Sequence, residues 1–217
     1  MSTFTRLRRT ARRHFITDHE YAPDFVKKLQ DELGDRATAL RALEGLDAWF
    51  LACLYADGRM IGMPSKVVDI AWHEFILRTR EYTAFCQRAF GAYLHHAPDS
   101  TMHVSADSLL PATLEMVDKH DIPMVLFTAD EDTGWDDGCR YSSTDYARMR
   151  AEYATDRPKR RHRYATAGGG SGYAAGGAGC GGYGGDGGGS SCGGGGGGCG
   201  GGGGGGCGGG GCGGGGG

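Results

Sequence analysis

Residues 67–98 read VVDIAWHEFILRTREYTAFCQRAFGAYLHHAP, and the spacing of their apolar side chains decides the fold class. Val67, Val68, Ala71, Trp72, Phe75 and Ile76 recur at three- and four-residue intervals. Tyr82, Phe85, Cys86, Ala89, Phe90 and Tyr93 then continue the pattern. This is the period of a helix buried along one face. Thr79 can cap a new helix, so a break around Thr79 divides the stretch into two helical pieces, with Pro98 ending the run. Among these apolar residues stand Asp69, His73, Cys86, His95 and His96. Burying polar groups without partners is costly, so this is the place to look for chemistry or specific recognition.

Working outward, Phe25, Val26, Leu29 and Leu33 have helical spacing, with Pro23 placed to open that helix and Gly34 to close it. Asp35 can cap the next one. Its stripe of Ala39, Leu40, Leu43, Leu46, Trp49, Phe50, Cys53 and Leu54 should stop near Asp57-Gly58. Pro64-Ser65 starts the central run. Asp107 to His120 predicts a short helix, Ile122 to Phe127 resembles a strand with no obvious partner, and Ser142 or Ser143 can cap a last helix through Tyr153. The expected fold is mostly α, a compact bundle of about five helices.

Composition divides the chain. Of the 50 residues from Gly168 to Gly217, 36 are Gly and five are Cys. Such a segment buries too little apolar surface to offset its ordering entropy, so a disordered tail is expected. Arg6, Arg8, Arg9, Arg12 and Arg13 make one basic run, and Arg157, Lys159, Arg160, Arg161 and Arg163 make another. Apart from these runs and Asp186, the remainder holds 13 basic and 25 acidic residues. The expected organisation is a basic N-terminal arm over 1–20, a helical domain over 21–156, a basic linker over 157–167 and a glycine/cysteine-rich tail over 168–217. The apolar stretches are too short for a transmembrane span, and the N-terminus lacks the pattern of a secretory signal. A cytoplasmic setting with mostly reduced thiols is therefore expected.

Asp69 and His73 lie one helical turn apart and share a face. The carboxylate can fix the imidazole tautomer and aim the other ring nitrogen outward. Trp72 and Tyr82 are the aromatic residues expected at a binding surface beside them. If the run folds back near Thr79, His95 and His96 return toward the pair. Three readings stay open. In the first, His73 is a core histidine bonded to Asp69, and His95 and His96 cap helix carbonyls. In the second, Asp69, His73, His95 and His96, with Cys86 as a lesser candidate, bind zinc or a similar divalent ion. In the third, Cys86 is a nucleophile activated by a histidine.

The residues Asp69, Trp72-His73, Tyr82, Cys86, Gly91 and His95-His96-Ala97-Pro98, with the Gly/Cys-rich C-terminus, resemble the bacterial branch of the glycine-rich domain-containing protein family. Plant relatives share a related Asp-x-x-Trp-His-x-His pattern. Its second His is Phe75 here, which removes a candidate ligand. The resemblance implies no established reaction, and the RNA-binding and developmental roles associated with the plant members do not transfer to these residues.

Other motifs are excluded. Asp130, Asp132, Asp136 and Asp137 suggest a calcium loop, but Gly134, Trp135 and Tyr141 occupy positions where that loop needs Asp/Asn, Gly and Glu. An acidic, solvated loop is expected instead. The tail has no Lys-Ser or Lys-Thr after its glycines and no Arg, which argues against a phosphate loop and an arginine–glycine RNA-binding segment. Cys180, Cys192, Cys199, Cys207 and Cys212 are unevenly spaced. The tail is read as a tether spanning on the order of 40 Å, as a thiol array for metal capture or cross-linking, or as a substrate for modification.

The function read from the sequence is a helical binding or interaction module with a His/Asp/Trp-lined site and a Gly/Cys tail. The expected partner is a protein, and nucleic acid is not expected because the body is acidic. A metal-dependent or thiol enzyme using the His/Cys cluster is the alternative. No catalytic residue is assigned, and the oligomeric state is not read.

Overall fold

A computed structural model describes residues 3–97, 106–156 and 173–178. In chain order the elements are α1 (Thr3–Thr17), α2 (Pro23–Leu33), α3 (Arg36–Ala56), β1 (Gly62–Met63), α4 (Lys66–Leu77), α5 (Thr79–Ala89), β2 (Leu94–Ala97), α6 (Leu110–His120), α7 (Val125–Asp132), α8 (Ser143–Asp156) and β3 (Tyr173–Ala178). The fold is mostly α. The described residues form eight helices rather than about five.

Local chemistry sets many of the boundaries. Pro23 opens α2, and Gly34 leaves it at a φ of 91°. The Asp35 carboxylate accepts from the backbone N–H groups of Ala37 and Thr38, capping α3. Asp57 ends α3 in the left-handed region. Arg78 separates α4 from α5, its N–H donating to the Phe75 carbonyl. Ser142 and Asp145 cap each other at the start of α8.

Helix α3 is the axis. Trp49, Phe50, Leu46, Ala42 and Ala52 are fully buried, and α1, α2, α4, α6 and α7 all pack against it. A helix apolar around most of its circumference belongs at a core's centre. Gly45 lets α4 approach closely, since a Cβ there would lie 2.3 Å from Val68 Cγ2.

Several expectations are corrected. Most of the expected basic N-terminal arm is the helix α1 (Thr3–Thr17), which packs on α3 and α5, with Ile16 fully buried in the core. The Arg13 guanidinium donates to the His120 and Asp121 carbonyls, closing the end of α6, and Arg9 pairs with Asp57 at 3.6 Å. Long arginine stems cover apolar surface while their heads reach polar partners, which lets a basic run build a packed helix. Ile122 to Phe127 is not a strand. It is a short connection followed by the start of α7, and Leu126 and Phe127 enter the helical core. Within the tail, Tyr173–Ala178 forms β3 between β1 and β2, parallel to both. Backbone pairing needs no apolar side chain, so composition alone misses it. The linker 157–167 and the tail cysteines lie outside the described residues.

Candidate metal centre

The site begins with the start of α4. Asp130 on α7 is fully buried. It accepts from the Ser65 hydroxyl at 2.6 Å and from the backbone N–H groups of Lys66, Val67 and Cys139 at 2.9, 3.0 and 2.7 Å. A carboxylate at a helix N-terminus satisfies orphan donors and complements the helix dipole. The expected solvated acidic loop is thus wrong at Asp130, which fixes the position and rotation of α4.

On α4, the His73 Nδ1–H donates to the Asp69 carbonyl at 2.8 Å, leaving the ring's lone pair on Nε2. Nδ1 also lies 3.4 Å from Asp69 Oδ2. Opposite, β2 supplies His96, whose Nε2 is 3.6 Å from Asp69 Oδ1. The two imidazole centroids are 4.3 Å apart. Asp69, His73 and His96 each offer one ligand atom within 4.8 Å of the others.

Burial grades across this cluster. The side chains of Asp69 and His96 are 18% and 15% exposed, whereas His73 is 49% exposed. Asp69 Oδ1 and His96 Nε2 are sealed from solvent and have no hydrogen-bond partner. Two facing buried polar atoms 3.6 Å apart with no hydrogen bond need explanation; a protonated His96 would pair with the carboxylate, and a cation between a neutral His96 and Asp69 supplies the other account. About 3.4 Å separates two ligand atoms on a tetrahedral zinc with bonds near 2.0–2.1 Å, close to the 3.6 Å between His96 Nε2 and Asp69 Oδ1; His73 would join through Nε2, its Nδ1–H being used by the Asp69 carbonyl. Two imidazoles and one carboxylate are a familiar zinc donor set that leaves a position open.

Supporting residues hold β2 in place. Trp72 is fully buried, its ring 4.8 Å from that of His96 and 5.4 Å from that of Trp49. The Trp72 indole N–H donates to the Tyr82 hydroxyl at 3.0 Å, which donates to the Leu94 carbonyl at 2.7 Å. Tyr82 is also fully buried. Both residues expected at a binding surface therefore stand behind the cluster and position it.

His95 does not join the cluster. Successive strand residues point to opposite faces; His95 is exposed and its ring lies 4.7 Å from that of Tyr93. The histidines that were expected at a helix end sit on a strand. Cys86 is buried in the core, and burial is the main reason its thiol is pushed up. Burial likewise raises the Cys53 thiol. A reactive thiolate needs the opposite shift, so the reading of Cys86 as a nucleophile fails. Phe75 is 2% exposed among Phe25, Phe85 and Tyr82. Positions 73 and 75 lie about 200° apart around a helix, so a His at 75 would face the core, and Phe75 costs this site no ligand.

Sequence reasoning missed a half-buried acid on α3, Asp47. The Tyr21 hydroxyl donates to Asp47 at 2.8 Å, and burial pushes Asp47 up to about 7. An acid inside the apolar run from Leu46 to Phe50 was the available signal.

Residues 11–110 match the family described as UCP032817-like. This span holds α4, α5, β2 and all three members of the cluster. The family is uncharacterised, so the match carries no reaction. No curated protein and no solved structure matches the chain. No helix among the described residues is long and apolar enough to cross a membrane.

Proposed function

We propose that Asp69, His73 and His96 form a divalent metal site, with zinc the best-suited ion, and that the chain acts as a metal-dependent binding module. The observation that carries this reading is the pair of sealed atoms Asp69 Oδ1 and His96 Nε2, which face each other at ion-pair distance, 3.6 Å, with no hydrogen-bond partner. Three protein ligands leave one tetrahedral position open. The half-exposed His73 side faces solvent, so a water or a donor side chain from a protein partner can complete the shell there. The recognition reading fills the open position with a partner's donor side chain; a zinc-bound water there would instead be the nucleophile of the metal-dependent enzyme that is the alternative.

The test is a zinc competition titration on the full chain with its five tail cysteines changed to serine, so that soft thiolates do not compete. His96→Gln and His73→Ala should each weaken zinc by about tenfold or more. Equal affinity in the parent and both variants would remove the metal reading.

A further inference from the structure

Strands β1 and β2 do not pair with each other; β3 lies between them and pairs with both. The outward groups of Gly62 and the Leu94 carbonyl are closed by buried hydroxyls. The Gly62 N–H donates to Thr113 Oγ1 at 3.0 Å, and the Gly62 carbonyl accepts from the same hydroxyl at 2.7 Å. On the far side the Leu94 carbonyl accepts from Tyr82. What remains open is a pair of inward edges separated by the width of one strand. Bare edges recruit extended chain.

We infer that the gap between β1 and β2 is a strand-accepting site for an extended Gly/Ala-rich peptide, filled by the chain's own Tyr173–Ala178, and that its occupancy tunes the Asp69–His73–His96 site by pinning His96.

Three features carry this. The occupant YAAGGA has no proline and no charge, as a strand paired on both sides requires. Gly176 belongs to both ladders, opposite Gly62 on one side and Ala97 on the other. The pairing is parallel and closes a long loop, since α6, α7 and α8 intervene between β2 and β3. A short ladder closed over such a loop is a low-stability unit that opens before the core does, so the occupant is exchangeable. His96 is paired with Ala175 inside the ladder. Filling the gap therefore orders the backbone that presents a ligand, and linkage makes the coupling reciprocal. The coupling rests on the metal reading above; the strand site does not.

The experiment compares the full chain with Gly176→Pro, which lacks the backbone N–H and holds a φ that disfavours the strand, and Gly176→Ala, which keeps the N–H. In metal-free protein, hydrogen exchange at His95 and Ala97, whose N–H groups alternate with that of Leu94 and so face the gap, should be slow in the wild type and Gly176→Ala and about tenfold or more faster in Gly176→Pro. A synthetic peptide of residues 172–179 should restore protection to the proline variant. Equal exchange in the wild type and the proline variant would overturn the strand site. Protection that depends on protein concentration would overturn occupancy within one chain and assign the strand to a second copy. Cobalt titration then reads the coupling. Weaker cobalt binding in Gly176→Pro than in Gly176→Ala supports it, and equal binding overturns it while the exchange result stands. Absence of cobalt binding in every form would overturn the metal reading and the coupling, leaving the strand site intact.

Discussion

The Tyr82 hydroxyl donates to the Leu94 carbonyl at 2.7 Å, tying helix α5 to the strand that carries His96. The same oxygen accepts from the Trp72 indole, so one buried atom joins α4, α5 and β2. Tyr82→Phe leaves two buried groups unpaired, which should cost about 2–4 kcal/mol in urea denaturation. Zinc affinity should fall as well, although Tyr82 does not touch the ion. Normal stability with normal affinity would refute the positioning role.

Asp130 draws together Ser65, the first turn of α4 and Cys139 through four hydrogen bonds. Asp130→Asn keeps the shape but replaces acceptor oxygen with an amide donor and removes the charge. Denaturation should show a loss of about 3 kcal/mol. A change below about 0.5 kcal/mol, the size of an ordinary surface substitution, would mean that Asp130 does not anchor α4.

Gly45→Ala tests the contact between α3 and α4. The added methyl meets Val68 Cγ2 at 2.3 Å, and overpacking of this kind costs about 1–3 kcal/mol. Val68→Ala in the same chain should recover part of the loss, a coupling that a double-mutant cycle reads directly. Additive effects would place the strain elsewhere.

Asp47 gives a pH signature. Burial raises its carboxyl from 3.8 to about 7, so the native state holds this proton more tightly than the unfolded chain. Its contribution is fully present below about pH 4 and is lost as pH rises through 7. Subtracting the stability of Asp47→Asn from that of the wild type at pH 5, 6 and 8 should give a difference that falls with pH. A flat or rising difference would contradict the burial-driven shift.

The legible parts of this fold were those set by local chemistry. Pro23, Gly34, Asp35, Ser65 and Ser142 each act within a few residues of themselves, and each marks an end that the structure keeps. The break before Thr79 also followed from periodicity and capping, whereas the return of the histidines was read only on the condition that two helices fold back, and it is the strand β2 that brings His96 to Asp69. The parts that escaped depend on distant partners. Helix α1 hides in an arginine run because Arg13 finds its acceptors at His120 and Asp121. Asp130 finds its donors 63–65 residues away on the α4 cap. The strands β1 and β2 are short and acquire their pairing only from β3. Once β2 is known to be a strand, alternation alone separates His96, which faces the cluster, from His95, which does not.

X-ray absorption at the zinc edge of the zinc-loaded full chain tests the central claim most directly, because nitrogen/oxygen and sulfur donors differ in bond length. The account predicts a shell of nitrogen and oxygen at about 2.0–2.1 Å with imidazole scattering, lost in His96→Gln. A shell dominated by sulfur at about 2.3 Å, unchanged in that variant, would place the ion on thiolates and contradict the Asp69–His73–His96 site.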